Sequence, residues 1–278
     1  MALIDTHAHI HDEQFKGEVN AVLCRARTAG VSRIITVGTN VEESRVAVSF
    51  ASVYEHVYAT VAVHPEKYSE LPDELTRRRW IESISSLAKG EKTVGIGECG
   101  LDYHVLQNIV VPEEQKQCQR QGFSDHIELA RQVHKPLIVH ARDSYNDVLA
   151  ILSENTVDIP LIVLHCYQGD TDVTDRFLTL SDRIFFSFAG NSTYPPKKID
   201  RNTKDDVRNV IRMIPLDRLL SETDCPYLAP QKFRGQRNEP AYVEEVVLAI
   251  AEFRGVSPES VERAIEYTAR RIFPRMFF

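Results

Sequence analysis

The sequence predicts a single-domain (β/α)8 barrel, the TIM architecture, spanning residues 1–278. Three observations point to it. Short apolar, β-branched runs alternate with helical patterns along the whole chain, which means parallel pairing through crossover helices. There are eight such runs, the number that closes a barrel. Polar residues interrupt those runs at their C-terminal ends, the catalytic face of that fold.

The strands are expected at 3–9 (LIDTHAH), 33–39 (RIITVGT), 57–65 (VYATVAVHP) and 93–100 (TVGIGECG), then at 136–142 (PLIVHAR), 160–167 (PLIVLHCY), 183–190 (RIFFSFAG) and 219–227 (LLSETDCPY). After the first comes a helical pattern at Phe15, Val19, Val22, Leu23 and Ala26, ended by Ala29-Gly30 as a C-cap. Further helices are expected at 42–54, at 73–90 with the only tryptophan, and at 112–134, where Lys135-Pro136 stops the chain. Those at 144–155 and 171–180 follow the fifth and sixth strands. A Pro/Lys-rich loop and a helix at 204–213 separate the last two strands, and closing helices begin near Pro240 and Ser257.

Composition narrows the function. With 43% hydrophobic and 26% charged residues the chain can bury a sizeable core. A net charge of -7 opposes a role in coating duplex DNA, so any polyanion must be met at a local cationic or metal-lined site. Five cysteines without paired spacing fit reduced thiols in the cytoplasm. The first strand leaves no room for a leader peptide, and no apolar run is long enough to span a membrane.

In the first strand, period-two alternation sends His7 and His9 to one face with Asp5 beneath them, placed to accept a ring N–H and fix the tautomer. The other breaches are His64, Glu98, His140, Arg142, His165, Glu222 and Asp224, each at the end of its strand. Four histidines with one Glu and one Asp are too many for one open ion and suit two sharing a carboxylate. His7, His9 and Asp224 are assigned to one ion, His140 and His165 to the other, and Glu98 to the bridge. Cys99, Cys166 and Cys225 follow candidate ligands but fall on the opposite parity, toward the helix layer, and are read as structural. Gly95 and Gly97 share that parity and are expected to admit a close helix.

Together, IDTHAHIH, VAVHPE, VGIGECGLDY, PLIVHAR, LHCYQG, ETDCPYLAP and RGQRNEP, in this order over the whole chain, resemble the TatD family of metal-dependent deoxyribonucleases within the amidohydrolase-like barrels. The resemblance implies the opening metal pair at His7 and His9, the bridging acid at Glu98, ligands of the second ion at His140 and His165, and the closing acid at Asp224. Cys99, Tyr167-Gln168 and a long segment at 101–115 depart from the family pattern, at the mouth of the site rather than at its ligands.

The expected reaction is phosphodiester hydrolysis of DNA by a metal-activated water. Asp224 takes the proton, Arg142 and His64 contact the phosphate or leaving group, and Glu222 orients the ligands. The cofactors are two divalent ions, zinc, manganese or magnesium. Arg234, Arg237 and Asn238 lie in the loop after the last strand, where barrels often bind phosphate. Arg237 is assigned to substrate, Asn238 to substrate or to capping the next helix, and Arg234 to substrate or to solvent. Tyr103, Tyr167 and Tyr227 stand past strand ends, where they can stack on unpaired bases or wall the pocket.

The acidic surface favours end-on, exonuclease-like capture of single-stranded DNA by a monomer, with no membrane or protein partner implied. The competing functions are an amide, lactone or ester hydrolase on the same metals and, last, a metal-binding scaffold without turnover.

Overall fold

The computed structural model describes residues 2–71, 73–105, 110–155, 161–195 and 206–277. Most of the Pro/Lys-rich loop, the expected starts of the sixth strand and of the helix at 204, and part of the 101–115 segment lie outside the described residues. The first half of the chain runs β1 (Leu3–Ala8), α1 (Val19–Thr28), β2 (Val31–Gly38), α2 (Val41–Val53), β3 (Val57–Val61), α3 (Pro65–Ser69), α4 (Glu74–Leu87), β4 (Thr93–Asp102) and α5 (Glu113–Val133). The second half runs β5 (Leu137–Arg142), α6 (Tyr145–Glu154), β6 (Ile162–Leu164), α7 (Thr171–Leu180), β7 (Ile184–Phe188), α8 (Val207–Met213), β8 (Leu219–Ser221), α9 (Val243–Arg254) and α10 (Pro258–Ile272). The strands form one eight-stranded sheet in the order β1 to β8, as the alternation predicts for a (β/α)8 barrel. Among the described residues no helix is long and apolar enough to cross a membrane.

The chain has two compact units. The first comprises Met1–Thr36, Cys166–Leu178 and Phe185–Phe278, and the second Val37–His165 and Thr179–Ile184.

In the first unit β1 pairs in parallel with β2, and β7 with β8. Past the ends of β1 and β8 the chain is joined by main-chain bonds, Asp224 N–H to His7 O at 2.8 Å and His9 N–H to Cys225 O at 2.7 Å. Ser221 Oγ donates to Ile4 O and Thr6 Oγ1 to Ser221 O, both at 3.0 Å. The core is aromatic, with Phe177, Phe185, Phe186, Phe188 and Phe273 buried. The helix α10 contributes Val261, Ile265, Ala269 and Ile272, a buried stripe at helical spacing whose N-terminus Ser257 caps by accepting Ser260 N–H.

In the second unit β4 lies between β3 and β5, and β5 pairs with β6, all in parallel. The glycines of β4 set how closely β5 approaches. A Cβ on Gly97 would stand 2.5 Å from Ile138 Cβ, and one on Gly100 would stand 2.1 Å from His140 O. The glycines at 95 and 97 therefore admit the neighbouring strand, rather than a helix as expected.

The helix α3 was not expected. It opens on His64-Pro65, where proline's fixed φ suits a first helical position and His64 acts as the cap. The third, sixth and eighth strands are shorter than predicted, so His64, His165, Glu222 and Asp224 stand just beyond them.

Candidate active site

The first unit contributes His7, His9 and Asp224. The end of β1 aims both imidazoles the same way, as the alternation requires, with ring centroids 5.2 Å apart. Asp224 adopts φ 56°, a turn that brings its carboxylate toward them. His7 Nε2 is 3.7 Å and His9 Nε2 3.4 Å from Asp224 Oδ1. The ligand atoms of the three lie within 4.8 Å of one another. Two imidazole nitrogens and a carboxylate oxygen at such spacing fit a divalent cation.

Behind this cluster Asp5 is fully buried, but its bonds differ from those expected. Oδ1 accepts from Thr223 N at 2.9 Å and His7 N at 3.3 Å, and Oδ2 from Thr223 Oγ1 at 2.6 Å. Asp5 thus ties the strand bearing His7 to the residue before Asp224, and burial raises its pKa to about 8 against the pull of those donors. Glu222, also buried, accepts Cys166 N–H at 2.7 Å.

The second unit gathers His64, Glu98, Asp102, His140 and His165. Glu98 Oε1 is 2.6 Å from His140 Nδ1, 3.4 Å from His165 Nε2 and 3.7 Å from His64 Nε2. On its other side His140 Nε2 is 2.9 Å from Asp102 Oδ2. Glu98, His140 and His165 offer ligand atoms within 4.8 Å of one another, a second set whose chemistry fits a divalent cation. Burial would push His140 down, but hydrogen bonds to Asp102 and Glu98 reverse the effect and hold it at about 9. His64 goes the other way, lowered to about 4 first by burial and then by the neighbouring His140. It is a neutral imidazole near pH 7. Its Nδ1 accepts Glu66 N–H at 3.4 Å, which leaves the proton on Nε2.

Asp102 is the residue that sequence reasoning missed. The predicted strand stopped at Gly100, whereas β4 continues to Asp102, paired with Arg142. The signal was present, since Asp102 shares the parity of Glu98. Arg142 is exposed, and its guanidinium makes no hydrogen bond or ion pair with any described residue, though its charge helps lower the pKa of Asp102.

Several expectations need correction. Tyr167 is 1% exposed, with its ring against Phe177, Phe186 and Phe188 and its hydroxyl on Thr174 Oγ1 at 2.8 Å, so it is core rather than a surface for bases. Cys166, at φ 44°, breaks the strand's alternation just before it. Cys166 is accordingly not packed like the fully buried Cys99 and Cys225, and its Sγ accepts from Asn191 Nδ2 at 3.5 Å.

Arg237 is not open to a phosphate. It donates to Glu18 Oε2 at 2.8 Å and to Gln14 O, and it covers the Phe15 ring. Asn238 is buried and braces the turn, donating to Thr223 O at 2.8 Å and Tyr227 O at 2.6 Å. The Tyr103 hydroxyl is engaged by Asp147 and Arg120, and Lys116 lies over its ring. Tyr227 is 51% exposed and packs edge-on to His9.

A parallel α/β barrel with His and carboxylate clusters just past its strand ends defines a class, the metal-dependent hydrolases. The chain belongs to the TatD family within it: the family described as "TatD related DNase" matches residues 4–274. It is 35% identical to the metal-dependent hydrolase YabD of Bacillus subtilis, over 98% of each chain. It is 32% identical to the 3'-5' ssDNA/RNA exonuclease TatD of Cronobacter sakazakii, over 98% of this chain and 97% of that one. Among solved structures, the TatD homologue YjjV of Escherichia coli superposes with a TM-score of 0.85 at 27% identity, covering 98% of both chains.

Proposed function

We propose that this metal-dependent hydrolase cleaves phosphodiester bonds of DNA, trimming single-stranded ends as a cytoplasmic monomer. The observation that carries the reading is Arg142, an exposed guanidinium without a carboxylate partner among the described residues, on the strand that bears His140. A free guanidinium beside candidate ligands is chemistry for a phosphate oxygen, whereas an amide or lactone has no negative charge to offer it. The printed name of the Cronobacter relative, an exonuclease on ssDNA and RNA, supports the same substrate class.

His7, His9 and Asp224 would hold one divalent ion, and Glu98, His140 and His165 another. When bound, such ions stabilise charge on phosphoryl oxygens and bring water closer to deprotonation at neutral pH. The chain's own groups do the rest. Asp224 accepts the proton of the attacking water, Arg142 binds a non-bridging phosphate oxygen, and neutral His64 donates from Nε2 toward the leaving group. Asp102 orients the His140 ring, and Glu222 orients the ligands near it.

The test is elemental analysis of purified protein, followed by assays on single-stranded DNA and RNA with either end blocked and on a lactone and amide panel. Divalent metal, DNA cleavage and sensitivity to one blocked end are expected. Turnover of lactones or amides with none of DNA or RNA would overturn the reading.

A further inference from the structure

The loop after β8 carries three cations, Lys232, Arg234 and Arg237. Two of them are committed to carboxylates, Lys232 to Glu245 Oε1 at 2.5 Å and Arg237 to Glu18 Oε2 at 2.8 Å. Arg234 is exposed, and among the described residues its guanidinium makes neither a hydrogen bond nor an ion pair. What it does have is a platform, with its guanidinium carbon 4.1 Å from the centroid of the Tyr194 ring.

That platform is fixed. Tyr194 Oη donates to Ala229 O at 2.9 Å, and the preceding Thr193 Oγ1 accepts Gln231 N–H at 2.7 Å, so the segments after β7 and β8 are clamped together. They also touch at Gly190, where an added Cβ would stand 2.1 Å from Leu228 O. The same loop folds back on the turn that presents Asp224, through Tyr227 N–H to Asp224 O at 2.9 Å. A guanidinium seated over an aromatic ring, with no carboxylate or hydrogen-bond partner among the described residues, is preorganised for a bidentate anion. The loops after the seventh and eighth strands are where barrels commonly bind phosphate. The ring face is already covered by the guanidinium, which favours a phosphate over a stacked base.

We propose that Arg234, positioned by Tyr194, holds a non-scissile backbone phosphate of a single-stranded nucleic acid, away from the bond being cut. The inference rests on the phosphodiesterase reading above and extends it to how the strand is gripped.

The test compares wild type with Arg234→Gln, Arg234→Lys and Tyr194→Leu on two substrates, a short single-stranded oligonucleotide and bis-p-nitrophenyl phosphate, which has no second phosphate. On the oligonucleotide, Arg234→Gln is expected to raise KM roughly tenfold with little change in kcat. The slope of log(kcat/KM) against log salt should flatten by about 0.7, one phosphate contact on a single strand. Arg234→Lys should restore the salt slope with only part of the KM. Tyr194→Leu should raise KM as Arg234→Gln does, and kcat/KM on the small diester should not move. Unchanged KM and salt slope on an oligonucleotide that wild type cleaves would overturn the assignment of Arg234 alone, as would equal losses on both substrates. Wild type that cleaves the small diester but no oligonucleotide would sink both this inference and the nucleic-acid reading.

Discussion

Around Asp224 two imidazoles share a single carboxylate, whereas around His140 two carboxylates share a single imidazole. In the first cluster the acid is held by main chain. A left-handed turn at φ 56° presents it, its N–H is bonded to His7 O, and the buried Asp5 anchors the residue before it. In the second cluster the holding is done by side chains, with Glu98 and Asp102 gripping opposite nitrogens of His140. In the proposed reaction the first arrangement concentrates its function in one acid, and the second divides it between Glu98, which faces the other imidazoles, and Asp102, which orients one of them.

The comparison can be broken most directly at Asp224. Asp224→Asn removes the carboxylate that His7 and His9 share and the proposed proton acceptor, so kcat should fall on the order of 10^3-fold. Elemental analysis should show metal lost from that cluster, and a loss under tenfold would make the two clusters equivalent after all. Asp102→Asn comes next. Losing an orienting carboxylate should lower activity or metal affinity by about ten- to hundredfold. Metal titration of the variant should show a weakened site and an undisturbed one, and loss of both together would contradict the division of roles.

A third prediction separates the candidate ligand histidines from a structural one. His126, in the second unit, pairs Nδ1 with Gly122 O at 2.6 Å and accepts Val63 N–H at Nε2, and burial lowers its pKa. The folded chain keeps it neutral while the unfolded chain takes up a proton below about pH 6.5. Its contribution to stability is therefore complete above that pH and is lost as the pH falls toward the lowered folded value. Denaturant midpoints across this range should decline in wild type and decline less in His126→Gln, and parallel curves would remove His126 from the account. The smallest effect is expected at Tyr167→Phe. It should cost about 1 kcal/mol in unfolding free energy for the lost bond to Thr174 and leave kcat/KM unchanged, whereas altered turnover would return Tyr167 to the site.

The candidate ligands were legible because a strand's alternation is local. His7 and His9 must share a face, and a charged residue closing an apolar run is visible in one dimension. Asp102 was hidden only by the predicted end of β4, which depends on pairing with Arg142 rather than on any residue at Gly100. Tyr167 and Arg237 were misread for another reason. One positive-φ residue at Cys166 turns the following side chain into the core, and Arg237 meets Glu18, more than two hundred residues away in sequence.

The sequence by itself determined the strand and helix order, the barrel class and the imidazole and carboxylate groups that gather in each unit, since periodicity and strand-end chemistry are properties of neighbouring residues. Tertiary structure alone decided that Asp5 holds Thr223 rather than an imidazole, that Asp102 bonds His140, and that Arg237 is paired with Glu18. Each of these turns on which distant group reaches a polar atom first, and a buried or paired charge finds its partner through the fold, not through its neighbours in the chain.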